Sequence, residues 1–450
     1  MRTPSSLAVP TCLRLICLSL VAGLGACTVP VDPAPAGQQS QGGASRPSTS
    51  ASLRTGDGAG AGSAGRSSTP APPHQSSRAL PTGTPTGGTP SRAAGASGGE
   101  GCTASRLVDA MSREQRVGQL VMVGVPAGGD SSVVRRQIRR LHVGNVFLRG
   151  PSRADHAAVA AQTRSLQQAA DDASTAGVRL WVSTDQEGGQ VQVLRGSGFP
   201  TMPSALVQGG WGTSELRSRA TEWGRGLASA GVGVNLAPVV DTVVNASAAP
   251  ANRPIGRYDR QFANDPGAVA AASTAFTRGM ADAGVAATAK HFPGLGLVSD
   301  NTDTTDVVTD TSTDASSPSL GTFKAQVEAG VPLVMMSSAR YARIDPGVPA
   351  MMSPRVVGLV RALGFRGVVI TDDLGRARAA RVFSPDELAT RSVAAGVDVL
   401  LTTIPEGVPT MVQALMAQAR RDRGFDDRVR RAALTVLETK ARQGLLPPRC

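Results

Sequence analysis

Ala289-Lys290-His291-Phe292-Pro293-Gly294-Leu295-Gly296 follows the apolar run Val285-Ala286-Ala287-Thr288 and decides how the chain is read. The run has the texture of a buried strand, and it ends in a cation, an imidazole and a Pro/Gly turn. Charged or titratable groups are costly to hold beside a buried strand unless they are paired. The carboxyl end of a parallel strand is where barrels and open sheets place their chemistry. The pattern recurs where Leu180-Trp181-Val182-Ser183-Thr184 runs into Asp185-Gln186-Glu187-Gly188-Gly189. It recurs again where Val368-Val369-Ile370-Thr371 runs into Asp372-Asp373-Leu374-Gly375. Three strands ending in polar clusters predict a site assembled from several strand ends.

Working outward, short apolar runs at 120–124, 144–148, 178–183, 232–236, 285–289, 333–336, 368–370 and 397–401 read as strands buried on both faces. Helical patterns lie between them at 131–141, 154–176, 213–230 and 266–283. The last of these opens with Asp265-Pro266, an N-cap followed by Pro at the first helical position. Eight strands, most followed by a helix, predict an α/β fold, a single-domain (β/α)8 TIM-type barrel over 102–450. The competitor is a doubly wound open sheet, but no Gly-x-Gly-x-x-Gly follows the first strand.

Ahead of the barrel, residues 1–26 have the composition of an export signal. Arg2 precedes an apolar stretch that ends in Leu24-Gly25-Ala26-Cys27, a pattern that resembles the bacterial lipobox. Cys27 is the expected lipidation site, which would hold the protein to the outer face of the cell membrane. Residues 27–101 are rich in Ser, Thr, Pro, Gly and Ala, with too few large apolar side chains to offset the entropy of ordering. They are expected to form a disordered tether. Cys102 and Cys450 then remain as an even pair in an oxidising compartment, and a disulfide between them would staple the two ends of the domain. Free thiols are the alternative.

The 450-residue chain carries a formal net charge of +12, but no stretch interleaves Lys or Arg with aromatics, so nucleic acid is not an expected partner. A monomer is expected. There is no His-Glu-x-x-His, His-x-x-His or Cys cluster, and the Asp-rich loop at 296–306 lacks the Gly and terminal Glu of an EF-hand. No metal or cofactor is predicted, and no Gly-x-Ser-x-Gly elbow occurs.

The segments 185–192, 290–294 and 371–374 occur in the order and spacing of glycoside hydrolase family 3. They most resemble its single-barrel β-N-acetylhexosaminidase branch. Segments 235–241 and 254–256, with Arg260-Gln261-Phe262 and Ser353-Pro354, extend the likeness over roughly 105–445. The resemblance implies a carbohydrate substrate, Asp372 as nucleophile, and Asp185, Arg260, Lys290 and His291 as sugar-binding groups. An ion pair inside the barrel mouth is the alternative role for Lys290. Glu187 is expected to orient the Gly188-Gly189 turn.

One departure stands out. That branch carries an Asp-x-His pair after its Lys-His-Phe-Pro-Gly, the His serving as general acid/base, whereas 296–306 here contains no His. Either a carboxylate of this loop replaces the imidazole, or protonation is weak, or the barrel binds sugar without hydrolysing it. Asp303 is the first candidate for the acid/base, and Asp300 the second, with a role in substrate binding. A solvated Asx/Thr turn is the alternative reading of the loop.

Overall fold

The computed structural model describes residues 102–450. The export signal, Cys27 and the tether lie outside the described residues. Eight parallel strands make the sheet: β1 (Val121–Pro126), β2 (Asn145–Arg149), β3 (Trp181–Thr184), β4 (Val234–Asn235), β5 (Ala286–Phe292), β6 (Leu333–Met336), β7 (Val368–Thr371) and β8 (Leu400–Thr402). Their order is β7-β6-β5-β4-β3-β2-β1-β8. The parallel bridge Ile370–Val399 and the bond from Thr371 N to Val399 O bring the two ends of the sheet together. Each strand is followed by a helix: α1 (Ser132–Leu141), α2 (His156–Gln167), α3 (Thr213–Ser229), α4 (Pro266–Asp282), α5 (Leu320–Glu328), α6 (Pro354–Ala362), α7 (Pro385–Ala395) and α8 (Val408–Arg421). A further helix, α9 (Arg423–Ala441), packs on α7 and α8. The fold is a (β/α)8 barrel.

Strand alternation divides the core into two layers. Met122, Phe147, Trp181, Leu333, Met335, Val368 and Ile370 fill the barrel interior. Val182, Val334 and Val369, one residue out of phase, pack outward against the helices. Several sequence boundaries move, two of them for a visible reason. The helical pattern at 154–176 splits, because Asp171 and Ser174 form a capping box that starts a new turn. The strand pattern at 285–289 continues through Phe292, because the ladder survives the two polar side chains at its end.

The end of the barrel away from the site is plugged by α9. Trp181 Nε1 donates to Gln443 Oε1 at 2.6 Å, and Lys440 Nζ donates to Gln119 Oε1 and Gly144 O, both at 2.9 Å. The buried Lys440 ammonium has no carboxylate partner among the described residues, and burial pushes its pKa well down. It also lies 5.5 Å from the Trp181 ring, a cation–π contact that offsets part of that cost. Cys102 and Cys450 are joined, with Cα atoms 5.0 Å apart, so the disulfide ties the first described residue to the last.

Candidate active site

Strand parity selects what faces the barrel mouth. Val368 and Ile370 point inward, so Asp372 continues that row over the mouth. Its neighbour Asp373 turns toward β8, where its carboxylate accepts from Thr403 N at 2.8 Å, from the Thr403 hydroxyl and from Gly375 N at 2.9 Å. Burial pushes the Asp373 pKa up, against those bonds. Asp373 is thus the turn-fixing member of the pair. Asp372 N remains on the ladder, donating to Met336 O at 3.1 Å, and Asp372 Oδ1 accepts from Asp373 N at 2.8 Å. In β5 the register shifts between Ala289 and Phe292, and both Lys290 and His291 line the cavity. An unbroken strand would have sent one of them outward.

The cavity, about 240 Å³, brings together Asp185, Arg260, Lys290, His291, Asp303 and Asp372, over apolar walls that include Phe147 and Leu236. Asp300 does not line it. Its carboxylate accepts instead from Arg253 Nη1 at 3.0 Å on the exposed side of the loop. Asp300 thus lies on the outer face of the loop in its pair with Arg253, apart from the other expected sugar-binding residues.

Lys290 is both ion-paired and in the cavity. Its Nζ sits 2.7 Å from Asp185 Oδ1 and 2.6 Å from Glu187 Oε1. Glu187 is not a simple turn-orienting residue. Arg260 donates to both its oxygens, at 2.9 and 2.8 Å, and to Pro254 O at 2.8 Å. The four side chains form a chain of alternating charge in which Glu187 is the buried hub. Burial alone would raise the Glu187 pKa, but Arg260 and Lys290 overcome it and hold the carboxyl down at about 2. The Lys290 ammonium is likewise penalised by burial and more than compensated by Asp185 and Glu187, so its pKa rises. Removing one member of such a network strands a buried charge, which costs far more than the paired network contributes. The result is a fixed set of donors and acceptors at one wall of the cavity.

His291 is held from behind. Its Nδ1 lies 2.7 Å from Asp241 Oδ2, and Asp241 Oδ1 also accepts from Leu295 N at 2.8 Å. A carboxylate acceptor there places the ring proton on Nδ1 and leaves Nε2 as the other polar atom of the ring. Asp241 is not among the site residues read from the sequence. The available signal was its place at the end of segment 235–241, which carries part of the family likeness. His142 and His156 lie elsewhere, bonded to Ser174 O and the Ser229 hydroxyl. Among the described residues His291 is the one histidine lining the cavity.

The loop that lacks a His folds over the mouth. Asn301 pins it: its side chain accepts from Asp303 N at 2.9 Å, and its carbonyl accepts from Thr304 N and Thr305 N at 3.1 and 3.0 Å. This Asx turn, with Thr302 buried beneath, holds Asp303 in the cavity lining. Backbone bonds from Ala379 N to Thr302 O at 3.0 Å and from Arg378 N to Asp303 O at 3.4 Å tie the loop to the segment after Asp372. The Asp303 side chain stays accessible from the mouth, yet the surrounding walls desolvate its carboxyl. That desolvation, together with the Asp372 charge and against Arg260 and His291, pushes its pKa up to about 6.

A family model described as "Glycosyl hydrolase family 3 N terminal domain" matches residues 112–437. The chain belongs to glycosyl hydrolase family 3. Within the family it is similar in structure to a β-N-acetylhexosaminidase from Beutenbergia cavernae, with a TM-score of 0.73 and 46% identity, over 74% of this chain and 99% of that one. It is 30% identical to the β-hexosaminidase LpqI of Mycobacterium tuberculosis, over 68% of this chain and 76% of that protein. A β-hexosaminidase of Stenotrophomonas maltophilia is 34% identical over 53% of this chain and 71% of its own length. The family 3 barrel thus carries its polar cavity at the carboxyl ends of its strands, as its glycoside hydrolase class requires.

Proposed function

We propose that this family 3 glycoside hydrolase removes terminal β-linked N-acetylglucosamine from cell-wall fragments, with retention of anomeric configuration. One observation supports the mechanism: Asp372 and Asp303 line the same cavity as Asp185, Arg260, Lys290 and His291. Asp372 attacks the anomeric carbon and forms a glycosyl-enzyme. Asp303 protonates the departing oxygen, then as a carboxylate takes a proton from the water that hydrolyses the intermediate. Asp185, Arg260, Lys290 and His291 bind the sugar hydroxyls through bonds whose geometry is set before substrate arrives. The non-catalytic reading loses its main argument, because a carboxylic acid lines the cavity from the loop that lacks the imidazole.

The test is hydrolysis of p-nitrophenyl β-glycosides followed by proton NMR. The N-acetylglucosaminide is expected to turn over fastest and to release the β-anomer first. No turnover of any member, or initial release of the α-anomer, would exclude a retaining glycosidase.

The lipobox supports an exported protein anchored through Cys27, with 27–101 as the tether that lets the barrel reach its substrate. Cys27→Ala is expected to move the protein out of the membrane fraction. Unchanged fractionation would show that Cys27 is not the anchor.

A further inference from the structure

We propose that Glu187 is a positioning residue that governs how tightly Asp303 holds its proton, because it neutralises Arg260 from behind the cavity wall. The consequence for catalysis rests on the reading of Asp303 as the acid/base.

Among the described residues the bonds of Asp303 are backbone bonds, from its N to the Asn301 side chain and from Arg378 N to its O. With no donor on the carboxyl, desolvation and through-space charge decide whether it is ionised. Asp372 and Asp373 border the same cavity from the end of β7, Lys290 and His291 from β5, Asp185 from the end of β3, and Arg260 from its own loop. On the outer side of the loop, Arg378 is paired with Asp306. Asp372 and Asp373 favour the protonated acid, whereas Arg260 and His291 oppose it. Each cation bordering the cavity is backed by a carboxylate: Lys290 by Asp185 at 2.7 Å, His291 by Asp241 at 2.7 Å, and Arg260 by Glu187 at 2.8 Å. Among the described residues Arg260 has no second carboxylate within ion-pair distance. Glu187 itself does not line the cavity, its side chain is 3% exposed, and both its oxygens accept from the Arg260 guanidinium. It therefore acts through Arg260 and Lys290 rather than on the sugar. With Glu187 in place, two carboxylates balance two cations along this wall. Without it the wall gains a net positive charge, and Asp303 releases its proton at lower pH.

The deciding measurement is titration of the Asp303 carboxyl by carbon NMR, in full-length protein with carboxyl-labelled aspartate. The signal is assigned by its loss in Asp303→Asn. Glu187→Gln is expected to lower the Asp303 midpoint by about one pH unit, and Arg260→Gln to raise it by about as much. The double variant, Glu187→Gln with Arg260→Gln, should lie near wild type, because it removes a neutral pair and leaves Lys290 matched by Asp185. That variant strands no buried charge. If Glu187→Gln alone fails to fold, the fall in midpoint from Arg260→Gln to the double variant still reads the Glu187 charge. A merely structural Glu187 would raise KM or lower Tm and leave the midpoint in place. That result, or equal midpoints in Arg260→Gln and the double variant, overturns the proposal. In kinetics, the falling limb of kcat/KM on glycosides with poor leaving groups should move with the midpoint, and dinitrophenyl glycosides should not respond. A midpoint that moves while the limb stays would sink Asp303 as the acid and leave the control by Glu187 standing.

Discussion

Asp372→Asn is expected to lower kcat on aryl β-N-acetylglucosaminides by about 10³-fold or more, with the fold intact. The loss corresponds to about 4 kcal/mol of transition-state stabilisation. An amide cannot form the glycosyl ester, so the two-step route closes. The fold is spared because Asp372 lies past the last residue of β7, and its one side-chain bond among the described residues, from Asp373 N, can be accepted equally by an Asn oxygen. Covalent trapping gives a second readout. A 5-fluoro N-acetylglucosaminyl fluoride should label a peptide containing Asp372 in wild-type protein and leave the variant unlabelled. A variant with near-native kcat, or a label on another residue, would place the nucleophile elsewhere.

Asp303→Ala carries the second large effect, and its signature depends on the leaving group. Glycosides with poor leaving groups need a proton on the departing oxygen, so they should lose about 10²- to 10⁴-fold in kcat/KM. Dinitrophenyl glycosides leave as stable anions and should keep most of their glycosylation rate. Their turnover then stalls at the glycosyl-enzyme, because no base assists water, and azide should restore it by attacking the intermediate unaided. The pH profile supplies the sign. Desolvation and the neighbouring Asp372 charge raise the Asp303 pKa to about 6, and the protonated form is the one that donates. For wild-type protein and a poor leaving group, kcat/KM should therefore fall as pH rises through about 6, and Asp303→Ala should flatten that limb. Equal small losses on both substrate classes, with no azide rescue, would remove Asp303 from the mechanism.

The barrel was legible from local pattern because buried parallel strands are short apolar runs and helices carry their own caps. Alternation along β7 predicts different surroundings for Asp372 and Asp373, and Asp373 is indeed held by Thr403, although both border the cavity. The Lys-His pair was visible as polarity placed where it is costly. Other features depend on atoms brought together from distant segments. Glu187 became a charge hub because barrel closure delivers Arg260 and Lys290 to it, and nothing in its local sequence sets that pairing. Asp241 became the partner of His291 because β4 and β5 are neighbours. In the loop that lacks a histidine, Asp300 and Asp303 are alike in composition and differ in what the fold sets against them. Arg253 draws Asp300 to the surface, whereas Asn301 and the backbone after Asp372 hold Asp303 to the cavity. Residue type and periodicity determine which groups lie at strand ends, because they act over a few residues. Which of those groups meet, and how each is charged, is set by long-range packing and desolvation.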